Sequence, residues 1–150
     1  MTLLGLRDGE RADYSEVASR LCDVSVSVKK DLAELYRRIV LYLLINNTDD
    51  HLRNLGLLRS GSGWRLSPAF DINPNPDATA LRVTSVFAET EKEAALAALA
   101  ENAHVFGLIS HEADKILSEV STAVKSCDSY AERAGIAKEE RVTVLRAIRR

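Results

Sequence analysis

A mainly α-helical domain carrying one small β-hairpin is the fold class this sequence predicts. Three observations point there. Apolar residues recur at helical spacing from Leu32 to Leu44. The same periodicity returns across most of the chain after Thr90. Between these regions two short apolar runs, Leu55 to Leu58 and Trp64 to Leu66, flank the turn-forming stretch Arg59-Ser60-Gly61-Ser62-Gly63. The 150 residues suffice for a single domain with a real core, and 46% apolar with 28% charged residues is ordinary for a globular chain.

Residues 1 to 13 read as an entry segment in which Leu3, Leu4 and Leu6 pack and Gly5, Asp8 and Gly9 mark turns. A short helix is predicted from Tyr14 to about Cys22, capped by Asp13 or Ser15, with Val17, Ala18 and Leu21 inward. Asp23 to Ser27 is a Val-rich connection with extended character. The clearest helix follows. Leu32, Leu35, Tyr36, Ile39, Val40, Leu43 and Leu44 form its apolar face, and Lys29, Lys30, Asp31, Glu34, Arg37 and Arg38 its polar face. Its last residues, Val40 to Ile45, are apolar almost all round, so that end should be buried and can hold the next loop rigidly.

Asn46 to Asn54 is loop, and Pro68 ends the second hairpin strand. Pro74 and Pro76 exclude helix from Asp71 to Thr79, and Leu81-Arg82-Val83 is a short extended piece. Thr90 and Glu93 read as a capping box ahead of a helix over 94–103. Ser110 is expected to cap one long helix, about 111 to 134, closed by Gly135. A last helix starts near Ala137 with Val142, Leu145 and Ile148 inward.

Net charge is −2 and the isoelectric point about 5.9, which argues against binding nucleic acid by phosphate neutralisation. Arg146, Arg149 and Arg150 form a basic cluster that reads as a solvated helix end. Cys22 and Cys127 make no disulfide framework and are expected to be small, buried or half-buried residues in a reducing compartment. No apolar run approaches the ~18 residues needed to span a bilayer. The N-terminus lacks the pattern of a signal peptide, so a cytoplasmic location is expected.

The chemistry concentrates in Asn46-Asn47-Thr48-Asp49-Asp50-His51-Leu52-Arg53-Asn54 and in Pro68-Ala69-Phe70-Asp71-Ile72-Asn73. Phosphoryl transfer needs a carboxylate to orient or deprotonate the attacking hydroxyl, and oxygen ligands for Mg²⁺. In protein kinases the catalytic Asp and the metal-binding Asn stand five residues apart, and a metal-binding Asp follows a short hairpin. Asp49 and Asn54 are five apart, and Asp71 follows 17 residues beyond Asn54 across the hairpin. The competing reading makes Asp49 and Asp50 turn or cap residues. A lone His51 is more often a structural hydrogen-bonding residue than a ligand. Together with Asp49 and Asp50 it could serve a metallohydrolase, although no second His lies at ligand-like spacing.

These two loops, Asn47 to Asn54 and Leu66 to Pro74, closely resemble the HipA family, the serine/threonine kinase toxins of bacterial type II toxin–antitoxin modules. The entry Thr2-Leu3-Leu4-Gly5 also resembles the segment leading into that family's helical lobe. The resemblance implies the helical C-terminal lobe of a kinase-like fold over residues 1–150, with the hairpin beside the catalytic loop. It implies Asp49 as the catalytic base and His51 as a brace of the loop. It implies Asn54 and Asp71 as the residues that hold Mg²⁺ and, through it, ATP. Arg53 occupies a basic position of the motif. Asp50 lies at a variable position and is expected to be an exposed loop carboxylate.

The family's N-terminal lobe supplies a phosphate-binding loop and a nucleotide-binding lysine. Here all seven glycines are isolated or in turns, and Lys29 and Lys30 lie on a polar helix face. The N-terminal ATP-binding lobe is therefore expected to be absent from this chain, which would be inactive alone and would use Mg²⁺ and ATP only when that lobe is supplied. Expected partners are that lobe, an antitoxin of HipB type and a protein substrate, with no direct nucleic-acid or membrane contact. Two other functions stay open: a non-catalytic, pseudokinase-like binding module that docks an antitoxin or target, and a metal-dependent phosphohydrolase using Asp49, Asp50, His51 and Asp71.

Overall fold

A computed structural model of the protein describes residues 4–5, 10–77 and 79–148. Leu3, Leu6, Asp8, Gly9, Arg149 and Arg150 lie outside the described residues. The chain is mainly helical, as expected. Strand β1 (Ala12–Asp13) leads into α1 (Tyr14–Val24) and α2 (Val28–Leu44), followed by β2 (Leu57–Ser60), β3 (Gly63–Leu66) and β4 (Thr84–Ser85). The helices α3 (Lys92–Glu101), α4 (Ser110–Lys125), α5 (Cys127–Arg133) and α6 (Lys138–Ile148) complete it.

Helix α2 is the centre of the core. Leu35, Ile39 and Leu43 are fully buried along its inward stripe, and α1, α3 and α4 pack against it. Phe106 closes the middle of the core, edge-on to Tyr36 at 5.4 Å between ring centroids. The expected burial of the C-terminal end holds, since Val40, Tyr42, Leu43 and Ile45 are all buried. Two charges assigned to the polar face are not on it: Asp31 and Arg38 are buried. Asp31 accepts from Arg65 Nε (2.9 Å), Ser25 Oγ (2.6 Å) and the Leu66 N–H (3.2 Å). Arg38 donates to the Ser67 carbonyl and to Glu34. Helical periodicity reads charge as solvent-facing, but here charge is the means by which α2 grips the hairpin.

Asp13 caps α1 with its Oδ1, which accepts from the Ser15 N–H at 2.8 Å. Cys22 falls at the edge of the Tyr14, Val17, Ala18, Leu21 stripe and is exposed, contrary to expectation, while Cys127 is half-buried as expected. Strands β2 and β3 pair antiparallel around a tight Gly61-Ser62 turn, with Gly61 at φ 57°. The first strand starts two residues later than expected because Leu55 still closes a 3-10 turn, its N–H bonding the Leu52 carbonyl. Strand β4 runs parallel to β1, a pairing between residues about 70 apart that no local pattern announces.

Three helix boundaries move. The N-cap of α3 is Glu91, not Thr90, because the Glu91 carbonyl receives the Ala95 N–H in the register that buries Ala95 and Leu99. Ile109, not Ser110, precedes α4, with its N–H bonded to the Glu112 carboxylate. The long helix expected over 111–134 breaks at Ser126, where Thr122 and Ser126 hydroxyls bond back to the Ser118 and Thr122 carbonyls. Helix α6 packs on α5, and Val142 is 40% exposed rather than inward. No helix among the described residues is long and apolar enough to cross a membrane.

Candidate active site

The candidate loop begins where α2 stops. Asn46 adopts the left-handed conformation (φ 56°), its N–H bonds the Leu43 carbonyl, and the Asn47 N–H bonds the Tyr42 carbonyl at 2.8 Å. This is the Schellman way of ending a helix, with Asn in the place usually held by Gly. The side chain then has a use that Gly could not supply: Asn46 Nδ2 donates to the carbonyls of Asn75 and Asp77. The backbone is fastened from the same side. The Asn75 N–H bonds the Asn46 carbonyl at 2.9 Å, Asn75 Nδ2 bonds Thr48 Oγ1 at 2.7 Å, and the Val83 N–H bonds the Thr48 carbonyl at 3.0 Å.

Asp49 is exposed at the tip of this fastened loop. The chain then enters the 3-10 turn Leu52–Asn54, in which the Asn54 N–H bonds the His51 carbonyl at 2.9 Å. That turn carries Asn54 back, and its Nδ2 donates to the Asp49 carbonyl at 3.2 Å. The two residues five apart in sequence are thus joined in space. Asn54 is 7% exposed. With its amide nitrogen committed to Asp49, the amide oxygen is the atom left to accept or ligate.

The hairpin returns the second loop. The Ser67 N–H bonds the Gly56 carbonyl at 2.9 Å. A Cβ on Gly56 would lie 2.8 Å from Ser67 Oγ and 3.3 Å from Phe70 Cε1, so a larger residue here would have to displace the Ser67 side chain. Phe70 thereby rests beside Gly56, which lies two residues beyond Asn54 in sequence. Asp71 follows, exposed, in the left-handed region at φ 54°, with its carboxylate accepting from Asn73 Nδ2 at 2.7 Å. Asp49 and Asn54 are joined directly, whereas Asp71 turns its carboxylate to Asn73. His51 is half-buried, and its Nδ1 is buried without a hydrogen-bond partner among the described residues. Arg53 is exposed.

The structure corrects one assignment outright. Asp50 is 2% exposed, not a solvated loop carboxylate. Its Oδ2 accepts from Arg82 Nη2 at 3.0 Å and from the Tyr14 hydroxyl at 3.0 Å, while its carbonyl accepts from Thr84 Oγ1 at 2.6 Å. Arg82 also donates to the Asn47 carbonyl. Burial pushes the Asp50 carboxyl above its usual range, and Arg82 and Tyr14 oppose that shift. Burial and the Asp50 charge likewise push the Tyr14 phenol well up.

Sequence reasoning missed Tyr14, Arg82 and Thr84. The alternation in 81–84 is inverted: Leu81 and Val83 are exposed, Arg82 and Thr84 buried. The available signal was a doubled aspartate with an arginine placed inside a short extended apolar stretch, since a buried charge requires a partner.

A family model described as HipA-like C-terminal domain matches residues 1–127. No curated protein matches the chain. With 127 of 150 residues inside that match, and with the helical fold that it implies, the chain belongs to the HipA-like C-terminal domain family.

Proposed function

We propose that this chain provides the catalytic-loop half of a HipA-like serine/threonine protein kinase. The observation that carries the reading is the Asn54 Nδ2 bond to the Asp49 carbonyl. It ties a solvent-facing carboxylate to an amide oxygen free to ligate, on a loop held by its neighbours. The donor set fits Mg²⁺: one amide oxygen from Asn54 and one exposed carboxylate from Asp71, both hard oxygen ligands. The left-handed backbone at Asp71 supports the reading, because non-glycine residues in that region concentrate at functional sites.

In this reading Asp49 accepts the proton of a substrate Ser or Thr hydroxyl and holds that oxygen toward the phosphoryl group. Asn54 and Asp71 hold the metal, and His51 braces the loop. Bound Mg·ATP supplies the transferable γ-phosphoryl group. The chain has no glycine-rich loop, so the phosphate cradle comes from a second lobe. An antitoxin of HipB type and a protein substrate are the further partners of a toxin–antitoxin role. The phosphohydrolase alternative has less support. Asp50 is committed to Arg82, and no group of three or more His, Cys, Asp or Glu suited to a metal occurs among the described residues.

Mn²⁺, used as a paramagnetic stand-in for Mg²⁺, tests the ligand assignment by amide NMR. Broadening should centre on the amides around Asn54 and Asp71 and vanish from that site in Asp71→Asn. Broadening that is unchanged in this variant would remove Asp71 from the metal site.

A further inference from the structure

The structure assigns Arg82 and Asp50, two residues outside the reacting group, as the positioning pair that sets the backbone of the Asp49 loop. This inference rests on the kinase reading and names what holds its base in place. One nitrogen, Arg82 Nη2, bonds both the Asn47 carbonyl and Asp50 Oδ2, and so spans Asp49 from the residue two before it to the residue after it. Thr84 Oγ1 holds the carbonyl of Asp50, and the Tyr14 hydroxyl holds the same carboxylate oxygen as Arg82. The side chains of Arg82 and Asp50 are 3% and 1% exposed, so the pair is shielded from bulk water.

The arrangement explains an otherwise costly feature. Burying an ion pair gives little net stability compared with apolar packing of similar volume, whereas losing one partner leaves an uncompensated charge. What the pair does supply is geometry. It anchors the peptides on both sides of Asp49 while leaving the Asp49 side chain in solvent. Arg82 also lies in the segment that follows Asp71, so the pair ties the base loop to the chain leaving the metal-ligand loop. The β1–β4 pairing continues that tie to the start of α1.

Hydrogen exchange in the full chain tests the assignment, read at the Asn47, Asn54 and Leu55 amides, all of which are hydrogen-bonded. Arg82→Gln should raise exchange at these amides by about tenfold or more while the α4 amides keep their protection. Arg82→Lys keeps the positive charge and one donor nitrogen, and should restore part of that protection. Thr84→Val provides a second route should Arg82→Gln not fold, and should loosen the same amides and no others. In phosphoryl-transfer assays with the second lobe present, Arg82→Gln should lower kcat by about 10²-fold with the KM for ATP held. Unchanged loop exchange in a folded Arg82→Gln or Thr84→Val overturns the assignment. So does a rise spread evenly through α4, or an Arg82→Lys variant as loose as Arg82→Gln. A wild-type protein that transfers no phosphate sinks the kinase reading instead, a result distinct from exchange that ignores Arg82.

Discussion

Asp13 shows how much one side chain organises. Its Oδ1 accepts from the Ser15 N–H and hydroxyl, and its Oδ2 accepts from Ser85 Oγ at 2.6 Å and the Ala88 N–H at 2.8 Å. It caps a helix and steadies a turn in which Phe87 and Ala88 both have positive φ. Burial by itself would raise its pKa, but the Ala88, Ser15 and Ser85 hydrogen bonds outweigh burial and lower it. The sign follows from linkage. Stabilisation by the ionised carboxylate is present above the unfolded value near 3.9 and is lost as pH falls through the lower folded value. Asp13→Asn keeps one acceptor and loses the Oδ2 set, so it should cost about 2 kcal/mol at pH 7. That deficit should shrink below about pH 4 in thermal melts taken across a pH series. The same residue marks the reach of sequence reasoning. Its capping role was legible from its place ahead of an apolar helical stripe. Its bonds to Ser85 and Ala88 were not, because they join residues more than 70 apart.

The hairpin is the element on which the site depends, since it carries the chain from Asn54 to Asp71. Three devices hold it: the Asp31–Arg65 pair, the Arg38 bond to the Ser67 carbonyl, and the packing of Gly63 beneath the α1–α2 connection. A Cβ on Gly63 would lie 2.6 Å from Val26 Cγ1 and 2.9 Å from the Val24 carbonyl. Backbone on one side cannot yield cheaply. Gly63→Ala should therefore destabilise the protein by about 1–3 kcal/mol and loosen the hairpin before the helices, as read by exchange at β2 and β3 amides. The hairpin's existence was legible because two short apolar runs around glycines admit little else. Its anchoring was not, because Asp31 and Arg38 sit among polar residues of α2, and periodicity alone cannot tell a solvated charge from a gripping one. Inverted alternation hid Arg82 in the same way.

At the scale of the whole molecule, α2 is both the core and the mount for the candidate loop. Leu43 is fully buried, and its carbonyl takes part in the helix stop that launches Asn46. Leu43→Ala should cost about 2–5 kcal/mol in denaturant unfolding and weaken the loop with the core. The helical class and the Asp49–Asn54 spacing were both legible because they rest on local period and on residue type. The break at Ser126 and the β1–β4 pairing were not, because they follow from side-chain competition and from long-range contact. What the fold adds to the motif is rigidity: Asp49 projects from a loop tied at almost every neighbouring residue, with Asn54 bonded to its carbonyl.

The most direct test of the central claim is phosphoryl transfer to a Ser or Thr substrate by the protein together with its phosphate-cradling lobe, comparing wild type with Asp49→Asn. The predicted result is a fall of about 10²–10⁴-fold in kcat with circular dichroism and melting temperature unchanged. Undiminished transfer by a folded Asp49→Asn protein would contradict the assignment of Asp49 as the base.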